Sequence, residues 1–134
     1  MVSIEQRIVD LGGIASLGEL VRGGAPRDWV LMFASYGRIA RVREGWYTVH
    51  ETDADVLEAW RLGGRLACAS ALAFYGFCAR PARLHVAVPA NASRLRRSDA
   101  VIHWCRRDPG GDRRAVSLAA AVRHASRCAG VQRL

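Results

Sequence analysis

Apolar residues at Ile4, Ile8 and Leu11 recur at the i, i+4, i+7 spacing of one helix face, and Gly12-Gly13 ends that pattern. Ser16-Leu17-Gly18-Glu19 then has the S-x-x-E form of a capping box. In that motif the serine hydroxyl accepts from the glutamate backbone N–H, and the glutamate carboxylate reaches back to the serine N–H. Ala15 and Leu20 stand where a hydrophobic staple belongs, and Gly23-Gly24 stops this second, short helix. Pro26 suits the opening of a third helix and Asp28 its positively polarised first turn. Trp29, Met32, Phe33 and Tyr36 follow the i, i+3, i+4, i+7 rule and predict an inward stripe to about Tyr36. That orientation leaves Arg27, Leu31, Ala34 and Arg38 on the outer face, with Ser35 beside them.

The period then changes to two. Gly37 to Val49 reads as a β-hairpin turning at Glu44-Gly45, with Trp46, Tyr47 and Val49 on the return strand. Strict alternation puts Ile39, Arg41 and Arg43 on one face and Ala40 and Val42 on the other. After a junction at His50-Glu51-Thr52-Asp53, Thr52 is placed to cap a fourth helix through about Leu62, with Val56, Leu57 and Trp60 as its apolar face. Further on, Ser70 to Gly76 reads as a short buried helix. Leu84 to Pro89 reads as a strand closed by proline, and Val101 to Cys105 as its partner strand. An Arg-rich loop, Asn91 to Asp99, lies between these two strands. Asp108 to Arg114 reads as a turn, and Ser117 caps a last helix to about Cys128.

The expected fold class is therefore α+β: a winged helix-turn-helix over residues 1–52, then a small α/β domain with a short β-sheet over 53–134. Helix, helix, helix and basic hairpin is the order in which one helix enters the major groove and the hairpin meets the flanking backbone. Double-stranded DNA is thus the expected partner. Arg27, Leu31, Ser35 and Arg38 are the candidates for the groove, and Arg41 and Arg43 for the backbone. Leu31 and Ala34 suit thymine methyls, and Arg27 suits a guanine edge or a phosphate. The same outer face is apolar enough to serve as a protein interface, so a protein-interaction module without DNA contact is the alternative.

Composition sharpens the electrostatics. The 134-residue chain carries a formal net charge of +8, and all 20 of its basic residues are arginine. Residues 1–60 hold six arginines against nine acids, a net of −3, and residues 61–134 hold 14 against three, a net of +11. Any pull on a polyanion is thus spread along the chain, and Arg94, Arg96 and Arg97 join the candidate DNA contacts. No apolar run reaches the length of a membrane span, and the N-terminus lacks the basic start and apolar core of a signal peptide. The expectation is a cytoplasmic protein without membrane association.

Chemistry is expected to be absent. There is no lysine, which excludes a P-loop, and the only acids after Glu58 are Asp99, Asp108 and Asp112, too few and too scattered for a metal-dependent nuclease. His85 and Ser70 have no recognisable acid partner. His103-x-Cys105 and His124-x-x-x-Cys128 together offer four zinc ligands, but no Cys-x-x-Cys accompanies them. The four cysteines, Cys68, Cys78, Cys105 and Cys128, are expected to be buried free thiols, with no metal, no cofactor and no enzyme activity.

Several segments in order resemble the AbiEi family of antitoxin-like transcriptional regulators, in the form common in actinobacteria. The resemblance rests on the first helix with its Gly-Gly, the hairpin GRIARVREGWYTV (37–49) and the small-residue helix ACASALAFYGF (67–77). It also rests on the strand LHVAVP (84–89), which the family often writes H-V-T-V-P, and on AVSLAAAVRHASRC (115–128). The resemblance implies a promoter-binding, repressor-like winged helix and a second domain that opposes a nucleotidyltransferase-like toxin in phage defence. It allows a homodimer on DNA. The chain departs from the family in an arginine-poor third helix and in Ser117-Leu118 where Thr-Pro is common, and the nuclease-like domain of longer relatives is expected to be absent.

Overall fold

The computed structural model describes residues 3–93 and 95–128. Among these the chain is mixed α+β, with six helices and two three-stranded sheets. It divides into two compact units, Met1–Asp53 and Ala54–Leu134. None of the described helices is long and apolar enough to cross a membrane.

The first unit runs α1 (Ile4–Asp10), β1 (Ile14–Ser16), α2 (Leu17–Arg22), α3 (Arg27–Ser35), β2 (Ala40–Arg43), β3 (Trp46–Thr48). Strand β1 was not anticipated. It pairs antiparallel with β3, which also pairs with β2, so β3 is central. The capping box forms as the sequence predicts: Glu19 N–H donates to Ser16 Oγ at 3.0 Å and Ser16 N–H to Glu19 Oε1 at 2.9 Å. Gly45 takes φ +80 in the hairpin turn, a conformation glycine adopts without a Cβ penalty. Thr52 does not sit where a cap was expected; its hydroxyl donates to the Gly13 carbonyl at 2.9 Å.

Helix α3 is rotated from the expected orientation. Its buried residue is Val30, with Phe33 and Ala34 packed beside it against a core of Ile4, Ile8, Ala15, Leu20, Ile39, Tyr47 and Val49. Trp29, Met32 and Tyr36 are exposed, Tyr36 at 79%. Two stripes overlap on this helix, Trp29-Met32-Phe33-Tyr36 and Val30-Phe33-Ala34, and both have helical spacing. The space against α2 and the small sheet takes the slimmer side chains, because a well-packed interior tolerates little excess volume.

The hairpin differs as well. Its register passes from Arg41 opposite Tyr47 to Arg43 opposite Trp46, leaving Val42 as a bulge that buries its side chain. Residues paired across an antiparallel ladder share a face, and consecutive residues on one strand do not. Arg41 and Arg43 therefore point to opposite faces rather than the same one.

The second unit runs α4 (Ala54–Arg61), β4 (Arg65–Leu66), α5 (Cys68–Phe74), β5 (His85–Pro89), β6 (Val101–Cys105), α6 (Leu118–Arg127). Val56 and Ala59 are the buried positions of α4, with Leu57 and Trp60 half-buried. Strand β5 is central, antiparallel to β4 and parallel to β6. Gly64 allows β4 its close approach, since a Cβ there would run into the Ala87 carbonyl oxygen. The 108–116 segment is tied down by Trp60 Nε1 donating to Arg113 O at 2.7 Å and Tyr75 OH donating to Val116 O at 2.7 Å. Ser117 caps α6 by accepting from Ala120 N–H at 3.2 Å.

The rotation of α3 has a direct test. Val30→Ala is expected to cost about 2 kcal/mol through lost burial and a residual cavity. Trp29→Ala should stay within about 0.5 kcal/mol, as for an exposed side chain. Urea unfolding of both variants gives the comparison, and the reverse ranking would restore the aromatic stripe to the core.

Candidate functional site

In the first unit, Arg27, Leu31, Ser35 and Arg38 are all exposed, as are Arg41 and Arg43 on β2. Ala34 is half-buried against the core instead of lying on the outer face. In its place the outer face of α3 carries Trp29 and Met32, so it is more apolar than the sequence suggested. Arg38 is partly held: its guanidinium lies 4.7 Å from the Phe33 ring centre and 3.4 Å from Glu5 Oε2. That exposed ion pair leaves the side chain 61% accessible and contributes little to stability.

In the second unit, several arginines are engaged. Arg80 forms a two-pronged contact with Asp55 at 2.7 and 2.8 Å, and Arg114 pairs with Asp112. Arg65 donates to the Gly110 and Asp112 carbonyls and to Asp108. Arg96 and Arg97 are exposed and make no ion pair among the described residues. Arg94 lies outside the described residues.

The second unit also holds a group that the sequence reading did not assemble. Cys68 opens α5, His85 opens β5, His103 is mid-β6, and Cys128 follows the last residue of α6. Their ligand atoms all lie within 4.8 Å of one another. His85 Nδ1 and His103 Nε2 are 3.1 Å apart, and Cys128 Sγ is 3.8 Å from the first and 4.0 Å from the second. The parallel register explains the meeting of the two imidazoles. His85 stands opposite Val101 and Ala87 opposite His103, so both histidines fall on one face of the sheet, two residues out of step.

The two local pairs weighed from the sequence are thus each split. His103 and Cys128 enter the cluster, while His124 stacks on His103 with ring centres 5.2 Å apart and Cys105 directs its thiol to the His103 carbonyl. Nor are all four cysteines buried: Cys68 is, Cys78 is exposed, and Cys105 and Cys128 are intermediate, all as free thiols.

Burial dominates the local electrostatics. It pushes the Cys68 thiol up to about 12, opposed by a backbone hydrogen bond from Ala69 and reinforced by Cys128. It lowers His103 to about 4, with His124 and then His85 adding to the drop, and it lowers His85, with Arg83 adding. The imidazoles are thereby neutral near pH 7, with lone pairs to share. Ser70 Oγ accepts from the buried His85 backbone N–H at 2.8 Å and anchors the start of β5. The contact runs to the His85 backbone and not to its ring, a relation that the spacing of Ser70 and His85 along the chain does not reveal.

No protein-family model matches the chain, and no curated protein is significantly similar to it.

Ser70→Ala would leave the His85 N–H buried without an acceptor. The expected loss is about 1–3 kcal/mol in urea unfolding. An unchanged midpoint would mean that β5 does not depend on this contact.

Proposed function

We propose that the chain is a DNA-binding, repressor-like transcriptional regulator whose first unit acts as a winged helix. The observation that carries this reading is the exposed α3 followed by a hairpin whose two arginines are both accessible, on a sheet of order β1-β3-β2. Arg27, Leu31 and Ser35 would face the major groove, and Arg38 would do so on release from Glu5. Because Arg41 and Arg43 lie on opposite hairpin faces, one wing would touch the backbone from two sides. Arg96, Arg97 and the remaining positive charge of the second unit would strengthen attraction to the polyanion without reading sequence. AbiEi-like autorepression, assembly as a homodimer on a two-fold operator and opposition to a nucleotidyltransferase-like toxin are further parts of the proposal. They rest on the motif resemblance. A cytoplasmic, non-enzymatic role fits the same reading.

A second reading has a specific observation behind it. Trp29, Leu31, Met32 and Tyr36 make the outer surface of α3 unusually apolar, which favours a protein partner over bases.

Fluorescence anisotropy with duplex from the upstream region separates the two. DNA binding is expected to weaken steeply with salt. Arg41→Ala combined with Arg43→Ala should weaken binding to any duplex and reduce the log–log salt slope by about 2. No binding at low salt, together with capture of the product of an adjacent gene, would favour the protein-interaction reading. Unchanged affinity in the double variant would remove the wing from the interface.

A further inference from the structure

The cluster in the second unit plays no part in the DNA reading and stands independently of it. The geometry points to a structural zinc site in which Cys68, His85, His103 and Cys128 are the four ligands of one tetrahedral ion. Zinc bonds of about 2.3 Å to sulfur and about 2.0–2.1 Å to nitrogen give tetrahedral edges of about 3.3 Å between nitrogens and about 3.6 Å between sulfur and nitrogen. The separations here are 3.1 Å for the two imidazole nitrogens and 3.8 and 4.0 Å from Cys128 Sγ to each of them. Small side-chain adjustments close those differences.

Chemistry selects the ion. Two thiols and two imidazoles in a tetrahedral set suit zinc rather than magnesium or calcium, which prefer oxygen. On binding, the two thiol protons leave, and two thiolates plus two neutral imidazoles hold a divalent cation with no net charge. That balance removes the main penalty for burying ions here. With four protein ligands no coordination position stays open for substrate, which makes the site structural rather than catalytic.

Two other readings of the cluster fit less well. A nucleophilic cysteine needs access, which the fully buried Cys68 lacks. A hydrogen-bonded cluster without metal leaves the unusual backbone at Cys68 without an account. That residue has φ +51, and it is the only non-glycine among the described residues with positive φ. Such a conformation persists where the surroundings hold it, and here it opens α5 with a thiol at the cluster.

The site also supplies something the packing lacks. The buried residues of α5 are Cys68, Ala69, Ser70 and Ala71, and those of α6 are Ala120 and Ala121. Such small side chains bury little apolar area, and the strands beneath are two to five residues long. An ion bonded to the start of α5, to β5, to β6 and to the end of α6 joins four elements at once. Small folds commonly gain their missing stability from such a staple.

The test uses the full chain purified under reducing conditions. Elemental analysis is expected to find zinc at one per chain. Exchange for cobalt(II) should give intense tetrahedral ligand-field bands and a thiolate charge-transfer band. Cys68→Ser and Cys128→Ser should each halve the charge-transfer band. Cys105→Ser and His124→Ala, neighbours of the same types outside the four, should leave it intact. Should the ligand variants fail to fold, alkylation of the native chain decides: chelator should speed modification of Cys68 and Cys128, with exposed Cys78 reacting alike in both states. The proposal is overturned by a metal-free protein that takes up no cobalt, by a Cys68–Cys128 disulfide in the reduced preparation, or by equal loss of the band in the Cys105 and His124 variants.

Discussion

Each unit hangs on a central strand whose two edges are both paired. In the first it is β3, three residues between β1 and β2; in the second it is β5, between β4 and β6. Backbone groups taken out of water must find partners, and in β5 Val86 and Ala87 face β4 on one edge and β6 on the other. In β5, His85 to Val88 are buried without interruption, so its side chains have packed partners on both faces. That double burial draws an imidazole into the interior. His85 is 1% exposed because its strand is central, and what surrounds it decides its chemistry.

The consequence runs through the second unit. A parallel partner strand brings His103 to the same face as His85, and the ends of two alanine-rich helices bring in the two thiols. The packing there is thin in apolar area but dense in groups that can ligate. The polar cluster and the small helix faces are therefore two sides of one design, in which bonds to an ion take the place of large side chains.

The first unit shows the reverse arrangement. Its core is conventional, and its unusual feature lies outside, where α3 presents tryptophan, leucine, methionine and tyrosine beside Arg27 and Ser35. Four of the six arginines in the unit, Arg27, Arg38, Arg41 and Arg43, lie close in sequence to that apolar surface. Phosphate attraction and apolar contact can serve one partner when the apolar groups meet thymine methyls. They serve different partners when the apolar face is a protein interface.

Local sequence determined much of this. The capping box at Ser16 and Glu19, the Ser117 cap, the Glu44-Gly45 turn and the strands at 84–89 and 101–105 depend on neighbours a few residues away, and spacing reveals such relations. The two-residue β4 and three-residue β1 were not legible, because strands so short have no period to read. The side of α3 that turns inward was not legible either, since two stripes of equal periodicity compete and only the available volume chooses between them. The bulge at Val42 belongs to the partner strand's register as much as to its own. The Cys2His2 cluster lay furthest out of reach. Its members are separated by 17, 18 and 25 residues, and each local His/Cys pair contributes one ligand and withholds the other. Sequence supplied the residue types; only the parallel pairing of β5 with β6, closed over by α5 and α6, could select which four meet, because that selection depends on strand register and helix placement and not on spacing along the chain.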